Sequence, residues 1–427
     1  MNTINRRGFM IGCTAAIAAM GGTKLSYAAF GSQEQEPDQD ILLVVFLRGG
    51  CDGLSVVPII DGPDRQHLEN NRTFTAVPTE GENRAIPLYN QFGLHPAMRP
   101  LVEHFQDSEL AIVHAAGLNQ DTRSHFDAMR YMELGTGEIQ SASTGWLTRH
   151  LDAMNSAAME AGEVDPSVME ALSVGALQPT SLFGSEKFIG MNSARGFRFN
   201  NQGGTVDWQR QTLRQLYTGN SWMHDSGRQT LDAIDILEYG VPNQYVPSAG
   251  ATYPNGGFGE NLKTVAQIIK MQLGLRVASV DLGGWDTHES QGDGGGGYFA
   301  GRVGELAQGL SAFFTDVSGT GGNQNINRVT VVVMSEFGRS LKENGSRGTD
   351  HGHGNVMLAL GKRVNGGHVY GEWPGLGIEQ LYDRRDLAIT TDYRQVLGEI
   401  LTQRMGNPDL ESVFPGFSLG ESMGIVA

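Results

Sequence analysis

The residues Ile41–Leu47, ILLVVFL, form an unbroken run of seven apolar side chains that ends at Arg48-Gly49-Gly50. Because polar residues do not alternate with the apolar ones, this run predicts a strand buried on both faces, as in a parallel sheet. Four further stretches rich in apolar residues predict strands at residues 110–115, 275–282, 329–334 and 356–360. Helix-forming stretches lie between most of these runs. The chain therefore predicts an α/β fold, a doubly wound and mostly parallel sheet with helices on both faces.

The first residues have the pattern of an export signal. Arg6 and Arg7 form a twin-arginine pair, an apolar run follows at residues 10–20, and Ser26-Tyr27-Ala28 resembles a cleavage site. This order predicts a twin-arginine signal peptide at residues 1–28 and export by the twin-arginine translocase to the periplasm or beyond. The apolar run is about half of the roughly 20 residues that a spanning helix needs, so no stable membrane span is expected after cleavage.

The remaining chain is interpreted as a polar linker at residues 29–40 and one domain at residues 41–427. Within that domain, residues 155–255 are rich in Asn, Gly and Ser and predict an irregular insertion or cap. The formal net charge of −16 argues against binding to nucleic acid or to anionic lipid. The chain has two cysteines, Cys13 and Cys51, which cannot form a disulfide framework.

Acidic and histidine side chains follow or precede the predicted strands in short Gly-rich motifs. Sites in open α/β sheets form beyond the carboxyl ends of the strands, so we expect these side chains to meet at one edge. Carboxylate and imidazole ligands suit a divalent ion such as Zn, Mn, Ca or Mg. The candidate metal ligands are Asp52, Asp286, His288, Glu336, Asp350, His351 and His353.

Each candidate also has a simpler interpretation. An Asp in a Gly-rich turn, such as Asp52, is commonly a turn former. Glu336 can pair with Arg339 instead of binding a metal. Asp286 and His288 lie two residues apart, so an extended backbone would direct both side chains to one side.

Ser124 follows the second predicted strand and precedes a helix. It can be a nucleophile at the helix N-terminus, where backbone amides favour an anion, or it can be a plain N-cap. The spacing of Ser124 and Asp127 is typical of a capping box. Arg123 and His125 can hold an anionic group or lie on the surface, and Arg339 is a further candidate for clamping substrate oxygens.

The motifs FLRGGCDGLS, RSHFDA, GGWDTHES and MSEFGRS…GTDHGHG, together with the twin-arginine start, resemble the exported bacterial family called domain of unknown function 1501. That family is similar to the alkaline-phosphatase-like superfamily of phosphatases, sulfatases and phosphomutases. The resemblance implies a dinuclear metal site at the strand ends of a doubly wound sandwich, with Ser124 as the nucleophile. It also implies a metal role for Asp52, the pair Asp286 and His288, Glu336, and either late histidine.

The chain departs from the superfamily pattern at two points. Phe337 stands where a metal-binding His is usual, and a Phe side chain cannot bind metal. The residues after Ser124 lack the x-Pro-x-Arg sequence that sulfatases use to form formylglycine, which argues against an arylsulfatase.

Two functions are consistent with these observations, and the sequence does not decide whether the protein is an enzyme. The first is an exported metal-dependent hydrolase or transferase acting on a phosphate-type ester, with an anionic small molecule or glycan ester as substrate. The alternative is a non-catalytic envelope assembly or binding protein that keeps the phosphatase-like fold. The substrate, the number of metal ions and the oligomeric state do not follow from the sequence.

Overall fold

The structure is a computed structural model that describes residues 39–137, 142–162, 169–175, 178–185, 187–199, 204–241, 245–319 and 325–426. The predicted signal peptide at residues 1–28 lies outside the described residues, as does the predicted linker up to residue 38. Among the helices of the described ranges, none has the length and apolar character that crossing a membrane requires.

A nine-stranded sheet forms the centre of the fold, and β1 lies in its middle with every residue buried. Including the two small sheets β2-β3 and β9-β10, the strands of the described residues are β1 (Ile41–Leu47), β2 (Ile86–Pro87), β3 (Gly93–Leu94), β4 (Leu110–Gly117), β5 (Ala171–Val174), β6 (Phe188–Met191), β7 (Val277–Leu282), β8 (Val329–Ser335), β9 (Arg339–Glu343), β10 (Thr349–His351), β11 (Asn355–Leu360), β12 (Val369–Tyr370) and β13 (Thr391–Asp392). The sheet order is β12-β4-β11-β8-β1-β7-β5-β6, and β13 also pairs with β4. The five strands predicted from apolar runs are all present in this sheet.

Helices cover both faces of this sheet, as predicted. The α-helices are α1 (Gly53–Val56), α2 (Pro63–Asn71), α3 (Val102–Gln106), α4 (His125–Leu134), α5 (Trp146–Glu160), α6 (Val206–Leu216), α7 (Trp222–Gly240), α8 (Gly257–Lys270), α9 (Gly297–Ser318), α10 (Tyr393–Glu399) and α11 (Leu410–Val413). Side chains of β1 alternate between two buried clusters, because successive residues of a strand point to opposite faces. One cluster contains residues of α8 and α9, and the other contains residues of α4, α5 and α10.

One strand of the sheet core runs against the others, so the sheet is mostly but not wholly parallel. β1 pairs in parallel with β7 and with β8, whereas β11 is antiparallel to both β8 and β4. The reversal places Asn355, the first residue of β11, beside Ala116 near the carboxyl end of β4. Residues that precede β11 therefore lie at the same edge as the residues that follow the parallel strands.

The region 155–255, predicted to be an irregular insertion or cap, contributes two regular strands to the fold. β5 and β6 fall within it, and they extend the central sheet in parallel beyond β7. Each of these strands has four residues, which is too short for hydrophobic periodicity to distinguish a buried strand from a loop.

A fully buried ion pair fixes the loop that follows β1. Both carboxylate oxygens of Asp52 accept hydrogen bonds from Arg72, at 2.6 and 3.0 Å, and neither side chain is exposed. Arg72 also donates to the backbone carbonyls of Ser340 and Leu341 in β9, at 2.8 and 2.9 Å. Arg72 thereby joins the end of α2, the loop after β1 and the strand β9.

We expect the substitution Arg72→Met to lower the free energy of unfolding by about 3–5 kcal/mol, because it leaves the Asp52 carboxylate buried without a countercharge. The double variant Asp52→Asn/Arg72→Met removes both charges and should recover part of this loss. Equilibrium urea unfolding of the two variants and the wild type measures the difference. An unchanged urea midpoint for Arg72→Met would contradict the structural role of the pair.

Candidate metal centre

Five chain segments meet at the carboxyl edge of the parallel strands. Leu47, the last residue of β1, lies beside Leu282 of β7 and Ser335 of β8, so the loops after these three strands begin side by side. The segment after β4 leads to α4 at the same edge, and the segment before β11 joins them because β11 is reversed. The backbones are close: a Cβ added to Gly49 would lie 2.6 Å from the backbone nitrogen of Asp286.

His125, Asp286 and His351 form the one group among the described residues whose ligand atoms could hold a metal ion, with those atoms all within 4.8 Å of one another. The Nε2 atom of His351 lies 3.1 Å from Asp286 Oδ1. His288 adjoins the group, because its Nε2 lies 3.1 Å from the same oxygen and 2.9 Å from His351 Nε2. The Nε2 atom of His125 lies 3.5 Å from Asp286 Oδ2 and is buried without a hydrogen-bond partner among the described residues.

The other ring nitrogen of each histidine contacts an oxygen that accepts hydrogen bonds. His125 Nδ1 lies 2.8 Å from Glu336 Oε1, and His288 Nδ1 lies 2.9 Å from Asp350 Oδ1. His351 Nδ1 lies 2.8 Å from the backbone carbonyl oxygen of Arg123. A carbonyl or an ionised carboxylate cannot donate a hydrogen, so each Nδ1 carries the proton and donates it. In the neutral imidazole, each Nε2 then has a free lone pair.

Three imidazole lone pairs and the carboxylate of Asp286 therefore converge, and Arg339 is the one hydrogen-bond donor that the described residues supply to them. Such a set of acceptors is stabilised by a cation or by shared protons. Imidazoles that donate Nδ1–H to a carboxylate or carbonyl while presenting Nε2 are the usual arrangement of metal-ligating histidines. The donor set of His125, Asp286 and His351 thus fits a divalent metal ion, and His288 adjoins it.

Arg339 fixes the position of the Asp286 carboxylate. Its side chain is fully buried, and it donates to Asp286 Oδ1 at 2.7 Å. Burial opposes ionisation of Asp286, but the hydrogen bond from Arg339 and the positive charge of Arg339 outweigh this effect and lower the pKa of its carboxyl to about 2. The remaining donors of Arg339 bind the backbone carbonyls of Gly49, Gly50, Trp285 and Thr349. With its donors used in this way, Arg339 positions Asp286 and has no free edge for a substrate.

Glu336 is buried beneath His125 and remains ionised. Burial raises the pKa of its carboxyl, but hydrogen bonds from His125 and from the backbone amide of Gly49 lower it below the ordinary value. The hydrogen bond to Glu336 in turn raises the pKa of His125, against the effect of its burial. Glu336 therefore orients the His125 ring and supplies negative charge behind it.

Phe337 occupies the space beside two of the histidines. Its ring is 3% exposed and lies 4.9 Å from the ring of His125 and 4.7 Å from that of His351, measured between centroids. A Cβ added to Gly50 would lie 2.4 Å from the Phe337 ring, so only glycine fits at that position. Phe337 thus packs against the imidazoles as an apolar wall.

The structure divides the seven predicted metal ligands into three sets. Asp286, His288 and His351 lie in the cluster, whereas Glu336 and Asp350 stand behind its histidines as hydrogen-bond acceptors. Asp52 lies outside the cluster, because Arg72, Ser55 and Gln291 occupy its carboxylate. His353 also lies outside, buried and stacked on Tyr382 with ring centroids 4.0 Å apart.

The candidate catalytic residues near α4 have mixed positions. Ser124 is the N-cap of α4, and its Oγ accepts a long hydrogen bond of 3.4 Å from the amide of Asp127. Thr122 Oγ1 accepts a hydrogen bond from the Ser124 amide at 3.2 Å. In a capping box, the side chain of Asp127 would accept from that amide. The side chain of Arg123 pairs with Asp386 at 2.9 Å, and its carbonyl accepts from His351. Ser124 follows directly in the chain, so its backbone lies next to the cluster.

Sequence analysis gave His125 as an anion-binding or surface residue, whereas the structure places it in the cluster. The available signal was its position just after a strand of the sheet, since Asp286 and His288 also follow a strand, although His125 begins a helix and they lie in a loop. Nothing in the sequence separates the histidines that point into the cluster from His353, which lies two residues after His351.

Comparison with solved structures finds only remote similarity. One match is the sulfatase PsFucS1 from Pseudoalteromonas sp., with 10% identity, a TM-score of 0.31, and coverage of 91% of this chain and 72% of that one. Another is the phosphonate monoester hydrolase of Agrobacterium radiobacter, with 8% identity, a TM-score of 0.31, and coverage of 90% and 78%. TM-scores this low carry no argument about function. The search of curated proteins found no match.

A family model described as "Protein of unknown function (DUF1501)" matches residues 247–412. The matched segment begins before α8 and includes Asp286, His288, Glu336 and His351, but it does not include His125 or Ser124. It also contains the motifs GGWDTHES and MSEFGRS…GTDHGHG, on which the resemblance was based. The resemblance of this chain to the DUF1501 family is therefore confirmed over residues 247–412.

Proposed function

We propose that this protein is an exported metal-dependent hydrolase or transferase that acts on a phosphate-type ester. The observation that carries the proposal is the convergence of the Nε2 lone pairs of His125, His288 and His351 on the carboxylate of Asp286. Two of these groups are open to solvent, since the side chains of Asp286 and His288 are 48% and 43% exposed. A substrate can therefore reach the centre from outside.

The donor set favours one zinc-type ion. Three imidazoles and one carboxylate suit zinc better than calcium or magnesium, which prefer oxygen ligands. Phe337 fills the place of the ligand that a second ion would need, and the described residues supply no second ligand group. When bound, such an ion supplies Lewis-acid polarisation of an ester oxygen and neutralises developing negative charge.

Ser124 is the proposed nucleophile. It stands at the N-terminus of α4, where backbone amides and the helix dipole favour negative charge, and within the described part of the chain its Oγ makes one hydrogen bond, which is long. In the proposed reaction, Ser124 Oγ bonds to phosphorus while the ester P–O bond breaks. The departing alcohol takes up the proton that Ser124 loses. Water then cleaves the phosphoserine and restores the hydroxyl group.

A second candidate function is binding without catalysis, as an envelope assembly protein. It is favoured by the fact that four protein side chains surround the centre, because structural metal sites are closed by four protein ligands. It is also favoured by the engagement of Arg123 and Arg339 with carboxylates, which leaves neither guanidinium free to clamp a substrate. Turnover of any ester that depends on Ser124 would exclude this candidate.

The first test is the metal content of the mature protein, purified folded without chelator or nickel affinity resin. We expect about one ion per chain, because the described residues provide one ligand cluster. His351→Ala should lose the ion, whereas His353→Gln should keep it, since His353 faces Tyr382 instead. Elemental analysis by mass spectrometry after dialysis measures both.

A metal-free wild-type protein with normal folding, or loss of the ion in His353→Gln alone, would contradict this assignment. Two ions per chain would also contradict it and would favour the dinuclear site that the family resemblance implies.

The second test is the rate of ester hydrolysis by the metal-loaded protein, with aryl phosphate mono- and diesters as probes. Ser124→Ala should abolish turnover because the nucleophile is lost, while its metal content stays the same. The variant also lacks a helix cap, at a cost of about 1 kcal/mol. Ser124→Asn keeps a capping side chain and serves as the matched control, and it should be equally inactive. Wild-type rates in either variant would refute the nucleophile assignment.

The third test concerns Glu336, which touches the ligand His125 but not the metal position. Glu336→Gln is nearly isosteric and can still accept from His125 and Gly49, but it removes the negative charge. We expect metal affinity to fall about 10- to 100-fold, the usual effect of altering a group behind a ligating histidine. Competition with a fluorescent zinc chelator measures the affinity. An unchanged affinity would show that Glu336 does not act through His125.

A further inference from the structure

An exposed turn next to the metal centre carries two consecutive arginines. Residues 382–385 form a tight turn in which Asp383 and Arg384 have φ values of 51° and 55°, a conformation that side chains other than glycine adopt at a cost. Contacts at both ends of the turn fix its position next to the centre. Tyr382 stacks on His353, and the buried Asp386 binds both Arg123 and Ser340.

Arg385 projects from this turn toward the cluster. Its Nε donates to Ser340 Oγ at 3.0 Å, and one Nη2 hydrogen is donated to the backbone carbonyl of His351 at 3.1 Å. The pKa of Asp350 is lowered mainly by hydrogen bonds from Asn344 and His288, and in smaller part by the charge of Arg385. The guanidinium therefore lies beside two residues of the centre.

The two edges of the Arg385 guanidinium differ. The edge formed by Nε and Nη2 is fixed by the protein, whereas Nη1 has no hydrogen-bond partner among the described residues and the side chain is 45% exposed. The edge formed by Nη1 and Nη2 thus presents two N–H groups to solvent. Two parallel N–H groups of this kind match two oxygens of a phosphoryl group.

Arg385 also lies near an acid, since its Nε is 3.4 Å from Asp386 Oδ1, but this contact is on the fixed edge of the guanidinium. The other arginines at this edge of the sheet are engaged with acidic partners as well. Arg48 pairs with Glu133 and Asp281, Arg123 pairs with Asp386, and Arg339 is buried against Asp286. The chain as a whole carries a formal net charge of −16, so an anionic substrate is repelled by most of the surface. A guanidinium with a free edge beside the centre is a specific exception.

We propose that Arg385 is the residue that binds the non-bridging phosphoryl oxygens of the substrate, through its Nη1 and Nη2 edge, while the ester oxygen faces the metal centre. This inference rests on the proposed function and names the group that would select an anionic ester. The strained turn and the fixed Nε edge hold the guanidinium in place before the substrate arrives, which reduces the ordering cost of binding.

Calorimetric titration of the metal-loaded full chain with inorganic phosphate tests the proposal. We expect one phosphate to bind per wild-type chain and Arg385→Ala to weaken the affinity by roughly 10- to 100-fold, the loss of a charged bidentate contact. Arg385→Lys keeps the charge but not the paired N–H groups and should give an intermediate affinity. Arg384→Ala, on the same turn and paired with Glu379 instead, is the matched control and should bind like the wild type.

Metal content and melting temperature are measured on each variant, so that loss of the centre is separated from loss of the anion contact. Equal phosphate affinity in the wild type and in Arg385→Ala would overturn the role of Arg385 and leave the proposed hydrolase standing. If Arg385→Ala folds poorly, equal affinity of Arg385→Lys and the wild type overturns the bidentate contact. Failure of the loaded wild type to bind phosphate at millimolar concentration would overturn both proposals.

Discussion

The buried guanidinium of Arg339 is the constraint on which the rest of the centre depends. It stands at the start of β9 and binds backbone carbonyls from the loops after β1 and β7 and from the strand β10, as well as the carboxylate of Asp286. The two loops are rich in glycine, and Arg339 joins them to each other, whereas the Asp52–Arg72 ion pair fixes the first of them to α2 and β9. Because the guanidinium is planar and its N–H donors have fixed directions, it fixes the distances between the backbone segments that it binds. The buried Arg339 side chain therefore sets the position of the candidate ligand Asp286.

The acidic residues of the site have two different roles, since two of them orient histidine rings and one faces the metal position. Glu336 and Asp350 accept from the Nδ1 atoms of their histidines, and Asp286 faces the Nε2 atoms of the same rings. Because the two ring nitrogens have opposite roles, a carboxylate behind a ring makes the facing nitrogen a better ligand. One acid faces the Nε2 side of the rings and two stand behind them, so negative charge on both sides would favour a bound cation.

Much of the fold could be predicted from the sequence, because the unbroken apolar run at residues 41–47 is a direct consequence of a strand buried on both faces, and four further stretches rich in apolar residues mark other strands of the same sheet. The edge at which the motifs meet also followed from the strand order in the chain. The direction of β11 did not, since an apolar run has no polarity, and that direction is what brings His351 into the site. The sequence also does not show that Asp286 lies in the cluster and Asp52 outside it. This difference depends on Arg72, a distant residue that no motif marks.

The place of β1 in the middle of the sheet has a consequence for how the protein is made. Its two neighbours, β7 and β8, begin at Val277 and Val329, so the first strand to leave the ribosome must wait for more than half of the chain before it can pair. Contacts of such sequence separation form slowly, and unpaired apolar strands are exposed to aggregation in the meantime. His125 is likewise synthesised long before Asp286 and His351. Metal capture would thus be among the last events of folding, and a loaded centre would mark a chain whose sheet has closed.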